Sequence, residues 1–81
     1  MKQIKFTLHA KQKIKERNIK KTTVQRALIK PDELINSRNG TKIVQKVKNS
    51  KMLRIIFRDE EDSYLVITAY YTKQERYEVK K

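Results

Sequence analysis

The chain has 81 residues, with 21 lysines and arginines against 9 acidic residues and a formal net charge of +12. That length provides one domain with one modest core, and the absence of cysteine excludes disulfides and thiolate chemistry, which fits a cytoplasmic setting. No apolar run approaches the roughly 20 residues that span a bilayer, and the opening MKQIKFTLHAK lacks the apolar stretch of a signal peptide, so no membrane partner is expected.

Ile4 to Phe6, alternating about Lys5, reads as a short edge strand. Thr7 then stands where an N-cap would, ahead of a helix over 8–17 that contains neither Gly nor Pro. Asn18 follows, a residue that tolerates the left-handed conformation used to end helices. In this helix Ala10 and Ile14 are expected to face the core with Leu8 nearby, beside a polar stripe of His9, Lys13 and Glu16. A second helix is predicted over 21–30, because Val24, Ala27 and Leu28 share one face and Pro31 stops the ladder. Gln25, Arg26 and Lys30 point outward, but this pair of helices is a helix–turn–helix only in the loose sense and does not make a DNA reader.

From Glu33 the period becomes two. Leu34-Ile35 is a short strand, and Asn39-Gly40 is the strongest hairpin signal because both residues accept positive φ. Strands are predicted over 41–48, 51–58 and 63–72, joined by Asn49-Ser50 and by the acidic turn Asp59-Glu60-Glu61-Asp62. Short connections favour an antiparallel meander. The expected fold is a single α+β domain over 1–81, with two N-terminal helices packed on a three- to four-stranded antiparallel sheet. Its ordered core covers about 4–72, and 73–81 is a polar tail in which Tyr77 and Val79 could dock.

Alternation divides the strand residues into two sets. Ile43, Val47, Leu53, Ile55, Phe57, Leu65, Ile67, Ala69 and Tyr71 are expected against the helices. Lys42, Val44, Lys46, Lys48, Arg54, Ile56, Arg58, Tyr64, Val66, Thr68 and Tyr70 are expected on the opposite, open face. Cations and phenols on one sheet surface suit phosphate contact and base stacking; an ordinary solvated face that resists aggregation has the same pattern. The charge distribution favours a working surface that meets nucleic acid: residues 1–58 hold 17 basic and 3 acidic side chains, whereas 59–81 hold 4 and 6.

A single histidine with no cysteine cannot form the usual zinc site, and one glycine cannot build a phosphate-cradling loop. The acidic turn lacks the spacing of a calcium loop, and the only serines, Ser37, Ser50 and Ser63, fall at strand ends or turns. No metal or cofactor is therefore expected. What remains is metal-independent acid–base work on RNA, where the substrate's own 2′-hydroxyl is the nucleophile. His9 is a candidate base or acid, and Lys13 and Arg54 are candidate phosphate stabilisers. Tyr70 is a candidate proton donor or stacking group. A lone histidine in a first helical turn also serves as a cap or surface residue, and Arg17 also suits an anchor to a carboxylate such as Glu33. The candidate catalytic set is thus His9, Arg54 and Tyr70. The candidate nucleic-acid-binding set is Lys13, Arg17, Lys46, Arg58 and Tyr64.

The run His9-Ala10-x-x-Lys13-Ile14-x-x-Arg17-x-Ile19, then Val24-x-x-Ala27-Leu28-x-x-Pro31-Asp32, resembles the two-helix signature of a group of small prokaryotic proteins. Leu53-Arg54-Ile55-Ile56-Phe57 and Leu65-Val66-Ile67-Thr68-Ala69-Tyr70 look like that group's paired strands. The group is similar to the BrnT and RelE/ParE toxins of type II toxin–antitoxin systems. The resemblance implies two helices against an antiparallel sheet, endoribonuclease activity and an acidic antitoxin as partner, with His9, Arg17, Arg54, Thr68 and Tyr70 as the matched polar positions. Lys13 stands where the group has arginine, which keeps the charge but loses the planar fork for phosphate. Three functions fit: a metal-independent endoribonuclease toxin, a toxin of the same fold that binds a protein target, and a non-catalytic nucleic-acid-binding module.

Overall fold

The computed structural model describes residues 2–48 and 50–73; the expected docking of Tyr77 and Val79 lies outside the described residues. The order of elements is β1 (Gln3–Phe6), α1 (Leu8–Glu16), α2 (Lys21–Ile29), β2 (Glu33–Asn36), β3 (Thr41–Lys48), β4 (Lys51–Asp59) and β5 (Ser63–Lys73). The expected three- to four-stranded antiparallel sheet behind N-terminal helices is not what forms. Five strands make one mixed sheet in the order β1-β5-β4-β3-β2, and the expected edge strand ahead of the helices is one of them. The reason is β1, which does not pair with a sequence neighbour but lies parallel to β5, with Gln3 opposite Ser63 and Phe6 opposite Val66. No helix among the described residues is long and apolar enough to cross a membrane.

Local chemistry fixes both helices. The Thr7 hydroxyl accepts from the Ala10 N–H at 3.0 Å, satisfying one of the orphan donors of the first turn. At the other end Asn18 takes φ 56°, and the Ile19 N–H donates to the Ile14 carbonyl at 2.8 Å, the wider bond of a Schellman-type stop. Ile19 is thereby turned into the core. The α2 N-cap, Lys20, contributes no side-chain bond, so that helix depends on burial of Val24 and Ala27.

One core lies between the helices and the sheet. Ala10, Ile14, Ile19, Val24 and Ala27 meet Val44, Leu53, Ile55, Phe57, Val66 and Ala69, all buried. Each large aliphatic or aromatic side chain buried there is worth roughly 1.5–3 kcal/mol. Leu8, expected near this core, is instead 83% exposed.

Two features overturn the expected division of sheet faces. The short connection after β3 pairs Lys48 with Lys51, which places Val44 beside Ile55 and Lys46 beside Leu53. Lys42, Val44 and Lys46 therefore share the helix side, and Ile43 and Val47 lie on the far side. In β5, Val66 pairs with Phe57 and Thr68 with Ile56, so Ile67 is an extra residue without a partner, a β-bulge. Alternation changes phase there. Tyr64 and Val66 join the helix side, Leu65 moves to the far side, and Ala69 and Tyr71 keep their expected places.

The two ends of α1 are tied to the edge of β5 around this bulge. The Thr7 N–H donates to the Val66 carbonyl at 3.0 Å and its hydroxyl to the Ile67 carbonyl at 3.4 Å. At the far end the Arg17 Nη1 donates to the Ala69 carbonyl at 2.8 Å. Arg17 is thus an anchor, but to a β5 carbonyl; Glu33 stands at the opposite edge of the sheet.

At the end of the sheet near the β4–β5 turn, Asp59 forms ion pairs with Lys2 and, at 3.0 Å, with Lys42. Hydrogen bonds from these two ammonium groups hold the Asp59 carboxyl below its usual range, and the Asp59 bond raises Lys2. A depressed acid contributes stability above its ordinary value and loses it as pH falls through the folded one; the raised lysine loses its share only at strongly alkaline pH. Asp59→Asn is therefore expected to flatten the fall in urea midpoint that the wild type shows below about pH 4. Equal slopes in the two proteins would show that the pairs contribute nothing to folding.

Candidate nucleic-acid interface

The sheet surface opposite the helices carries a polar row that crosses four strands. Register places Glu33 beside Gln45, Gln45 beside Arg54, and Arg54 beside Tyr70. The Gln45 Nε2 donates to the Glu33 Oε2 at 2.9 Å, and the Arg54 Nη1 donates to the Tyr70 hydroxyl oxygen at 3.1 Å. Arg17 extends the row beyond β5, because its guanidinium passes the sheet edge above Ala69 and reaches Thr68 Oγ1 at 3.4 Å. Apolar neighbours flank the row: Ile35, Ile43 and Ile56 on one side, Val47 and Met52 on the other.

The end of this row is where charge and ring come together. The Arg17 and Arg54 guanidiniums lie 6.0 and 5.9 Å from the centre of the Tyr70 ring, within cation–π distance. Two fixed positive charges would ordinarily repel. Here the ring lies within reach of both, the Ala69 carbonyl accepts from one, and the phenol oxygen accepts from the other. Because that oxygen accepts from Arg54, the Tyr70 O–H remains a donor for another group. The arrangement gathers two guanidiniums, a hydroxyl and an aromatic face within one small area, the set that contacts a phosphate and an adjoining base.

The candidate residues separate into those gathered here and those elsewhere. Arg54, Tyr70 and Arg17 form the cluster, and Arg58 is exposed on the same sheet face but four residues, about 13 Å, further along β4. Lys13 is on α1 one turn before Arg17 and pairs with Glu16 at 3.4 Å. His9 is exposed in the first turn of α1, eight residues and about 12 Å of helix from Arg17. Lys46 and Tyr64 are on the helix side. Lys46 forms an ion pair with Asp32 at 3.7 Å, and Tyr64 packs edge-on to Phe57 at 5.3 Å with the Lys2 ammonium over its ring. Among the described residues no group of three or more His, Cys, Asp or Glu side chains could hold a metal ion.

Glu33 and Gln45 belong to this surface and were not among the sequence candidates. The available signal was the hairpin around Asn39-Gly40, which sets Glu33 opposite Gln45. Three inter-strand steps separate Glu33 from Tyr70, about 14 Å, too far for the two to serve one phosphate together.

Residues 6–71 match a family described as a domain of unknown function (DUF4258). The chain belongs to that family. The DUF4258 match takes in α1, α2, the three strands β2 to β4 and β5 as far as Tyr71, and hence every residue of the cluster. No curated protein and no solved structure matches the chain.

Gln45 is 1% exposed, and its Oε1 accepts no hydrogen bond among the described residues. An orphaned buried amide oxygen costs on the order of 1–3 kcal/mol. Gln45→Met, similar in volume and apolar, is expected to raise the urea midpoint by an amount equivalent to about 1 kcal/mol. A lowered midpoint would show that the bond to Glu33 outweighs the orphaned oxygen.

Proposed function

We propose that this chain is a cytoplasmic, toxin-like RNA-binding protein that cleaves RNA without a metal ion, and that the scissile phosphate lies against Arg17, Arg54 and Tyr70. The observation that carries this reading is the pair of guanidiniums held within 6.0 Å of one tyrosine ring on a sheet face. The resemblance to the BrnT and RelE/ParE toxins supports it through the same positions, and the net charge of +12 suits both a polyanionic substrate and an acidic antitoxin.

In this reading the 2′-hydroxyl gives its proton to solvent water as it attacks the adjacent phosphorus, and the bond to the 5′-oxygen breaks as that oxygen takes up a proton, leaving a cyclic phosphate. The two arginines stabilise the charge that builds on the phosphorane oxygens. The Tyr70 O–H is aligned as proton donor to the departing 5′-oxygen, with its own oxygen steadied by Arg54. His9 lies about 12 Å of helix rise from Arg17, and Glu33 lies three inter-strand steps, about 14 Å, from Tyr70, so neither backbone position adjoins the cluster. That distance favours a second reading, in which the same cluster binds RNA and carries out no chemistry.

One assay separates the two. A labelled RNA pool incubated in EDTA with wild type, Tyr70→Phe, Arg54→Ala and His9→Ala should be cleaved by wild type and by His9→Ala. Cleavage should fall by 10²-fold or more, roughly the worth of one acid or one oxyanion donor, in the other two. Retention of intact RNA would leave the binding module as the function. For binding itself, roughly five phosphate contacts give a log–log salt slope of about −3.5 on a single strand, and Arg54→Ala should make it shallower by about 0.7. A salt-independent affinity would remove RNA as the ligand of this face.

A further inference from the structure

A second surface, on the helix side of the sheet, takes no part in this chemistry. A groove of about 590 Å³ runs between the end of α2 and the β4–β5 turn, lined by Ile4, Leu28, Ile29 and Tyr64, with Lys2, Glu61 and Asp62 at its margin. Leu28 and Tyr64 also line an adjoining recess of about 130 Å³ that reaches Pro31, Leu34 and Val44. Two large aliphatic side chains stand open beside this depression, Ile29 at 55% and Leu34 at 51% exposure. Together they make an apolar strip, interrupted in the recess by the Lys42–Asp59 ion pair, and exposed apolar strips mark interaction sites on small proteins.

The charges around the strip that lie outside the Lys2–Asp59–Lys42 ion pairs divide by sign. On the turn side Glu61 and Asp62 are exposed and enter no ion pair among the described residues. Asp59, next to them, is already engaged by Lys2 and Lys42. On the α2 side Lys30 lies between two lining residues, Ile29 and Pro31, and Arg26 is one helical turn earlier; both are exposed. An apolar centre with a positive margin on one side and a negative margin on the other is complementary to itself. A twofold axis through its centre brings the positive margin of each copy onto the negative margin of the other, the requirement of an isologous interface.

We infer that this groove is the contact surface of a homodimer, in which Ile29 and Leu34 of each copy fill the other's groove and Lys30 faces Glu61 and Asp62 across the axis. The two RNA-binding sheet faces then point away from one another. Repulsion between two chains of +12 opposes this association over a Debye length of about 8 Å at physiological salt, so the dimer is expected to be weak, with a dissociation constant on the order of 10–100 µM.

Sedimentation equilibrium over a range bracketing those concentrations, about 5 to about 500 µM, tests it. Wild type should pass from monomer to dimer. Leu34→Glu should remain monomeric with an unchanged far-ultraviolet spectrum and unchanged urea midpoint, since the side chain is exposed. Glu61→Lys and Lys30→Glu should each weaken the dimer about 10-fold, and the double swap Lys30→Glu with Glu61→Lys should restore it, because both margins reverse together. A wild type that stays monomeric throughout overturns the proposal, as does a dimer indifferent to Leu34→Glu. Single swaps that weaken association without restoration in the double variant overturn the facing of Lys30 and Glu61.

Discussion

The unpaired Ile67 is the constraint on which the rest of the architecture depends. A strand without it would carry Tyr64, Val66, Thr68 and Tyr70 on one face. The extra residue instead allows Val66 to pack under the helices and Tyr70 to project beside Arg54. Ala69, the smallest core residue of β5, thereby shares the helix side with Val66 although three residues separate them. The bulge lies where β1 ends, so among the described residues the β5 edge beyond it has no neighbouring strand and takes its hydrogen bonds from Thr7 and Arg17. One inserted residue thus sets the position of α1, brings Arg17 around the sheet edge and completes the cluster.

The ions divide by role in a way that net charge conceals. Lys2 and Lys42 bind Asp59, and Lys46 binds Asp32, so three of the cations work in tying strand ends together on the helix side. Asp32 does more than pair: its carboxylate accepts from the Val47 N–H at 2.7 Å and its own N–H donates to the Gln45 carbonyl at 3.0 Å, extending the pairing of β3 to the residue before β2 begins. The arginines are used differently. Arg17 and Arg54 are directed to a carbonyl, a phenol and a ring, partners for which a planar fork is better suited than an ammonium.

Much of the local structure was legible in the residues. Thr7, Asn18, Pro31 and Asn39-Gly40 each act where their backbone chemistry predicts, and β3 begins and ends at the expected residues. The pairing of Arg54 with Tyr70 follows from alternation and holds because the bulge lies on the other side of both. What alternation within a strand could not supply was phase. In Thr41–Lys48 the apolar residues Ile43, Val44 and Val47 fall on both faces, so the strand itself does not choose. The short turn to Lys51 chooses, since it sets Val44 against Ile55. Nor could sequence reveal β1 as the partner of β5: the two are some 60 positions apart and share no marker. The apparent cation surface of Lys42 and Lys46 came from that missing phase, and the row from Glu33 to Tyr70 was hidden by it.

The β1–β5 pairing also governs the order in which the chain can be completed. A growing chain presents β1 and α1 first, yet the surfaces that bury Ala10 and Ile14 belong to strands made much later, and the hydrogen-bond partners of Gln3–Phe6 are Ser63–Val66. Until β5 has left the ribosome, α1 has only its cap and its short length to hold it, too little for a nine-residue helix in water. The β3–β4 hairpin is local and can close early, whereas the first strand must wait for the last. The domain is therefore built from its middle outward, and nascent chains that stop before Ser63 carry an apolar α1 face with nothing to cover it.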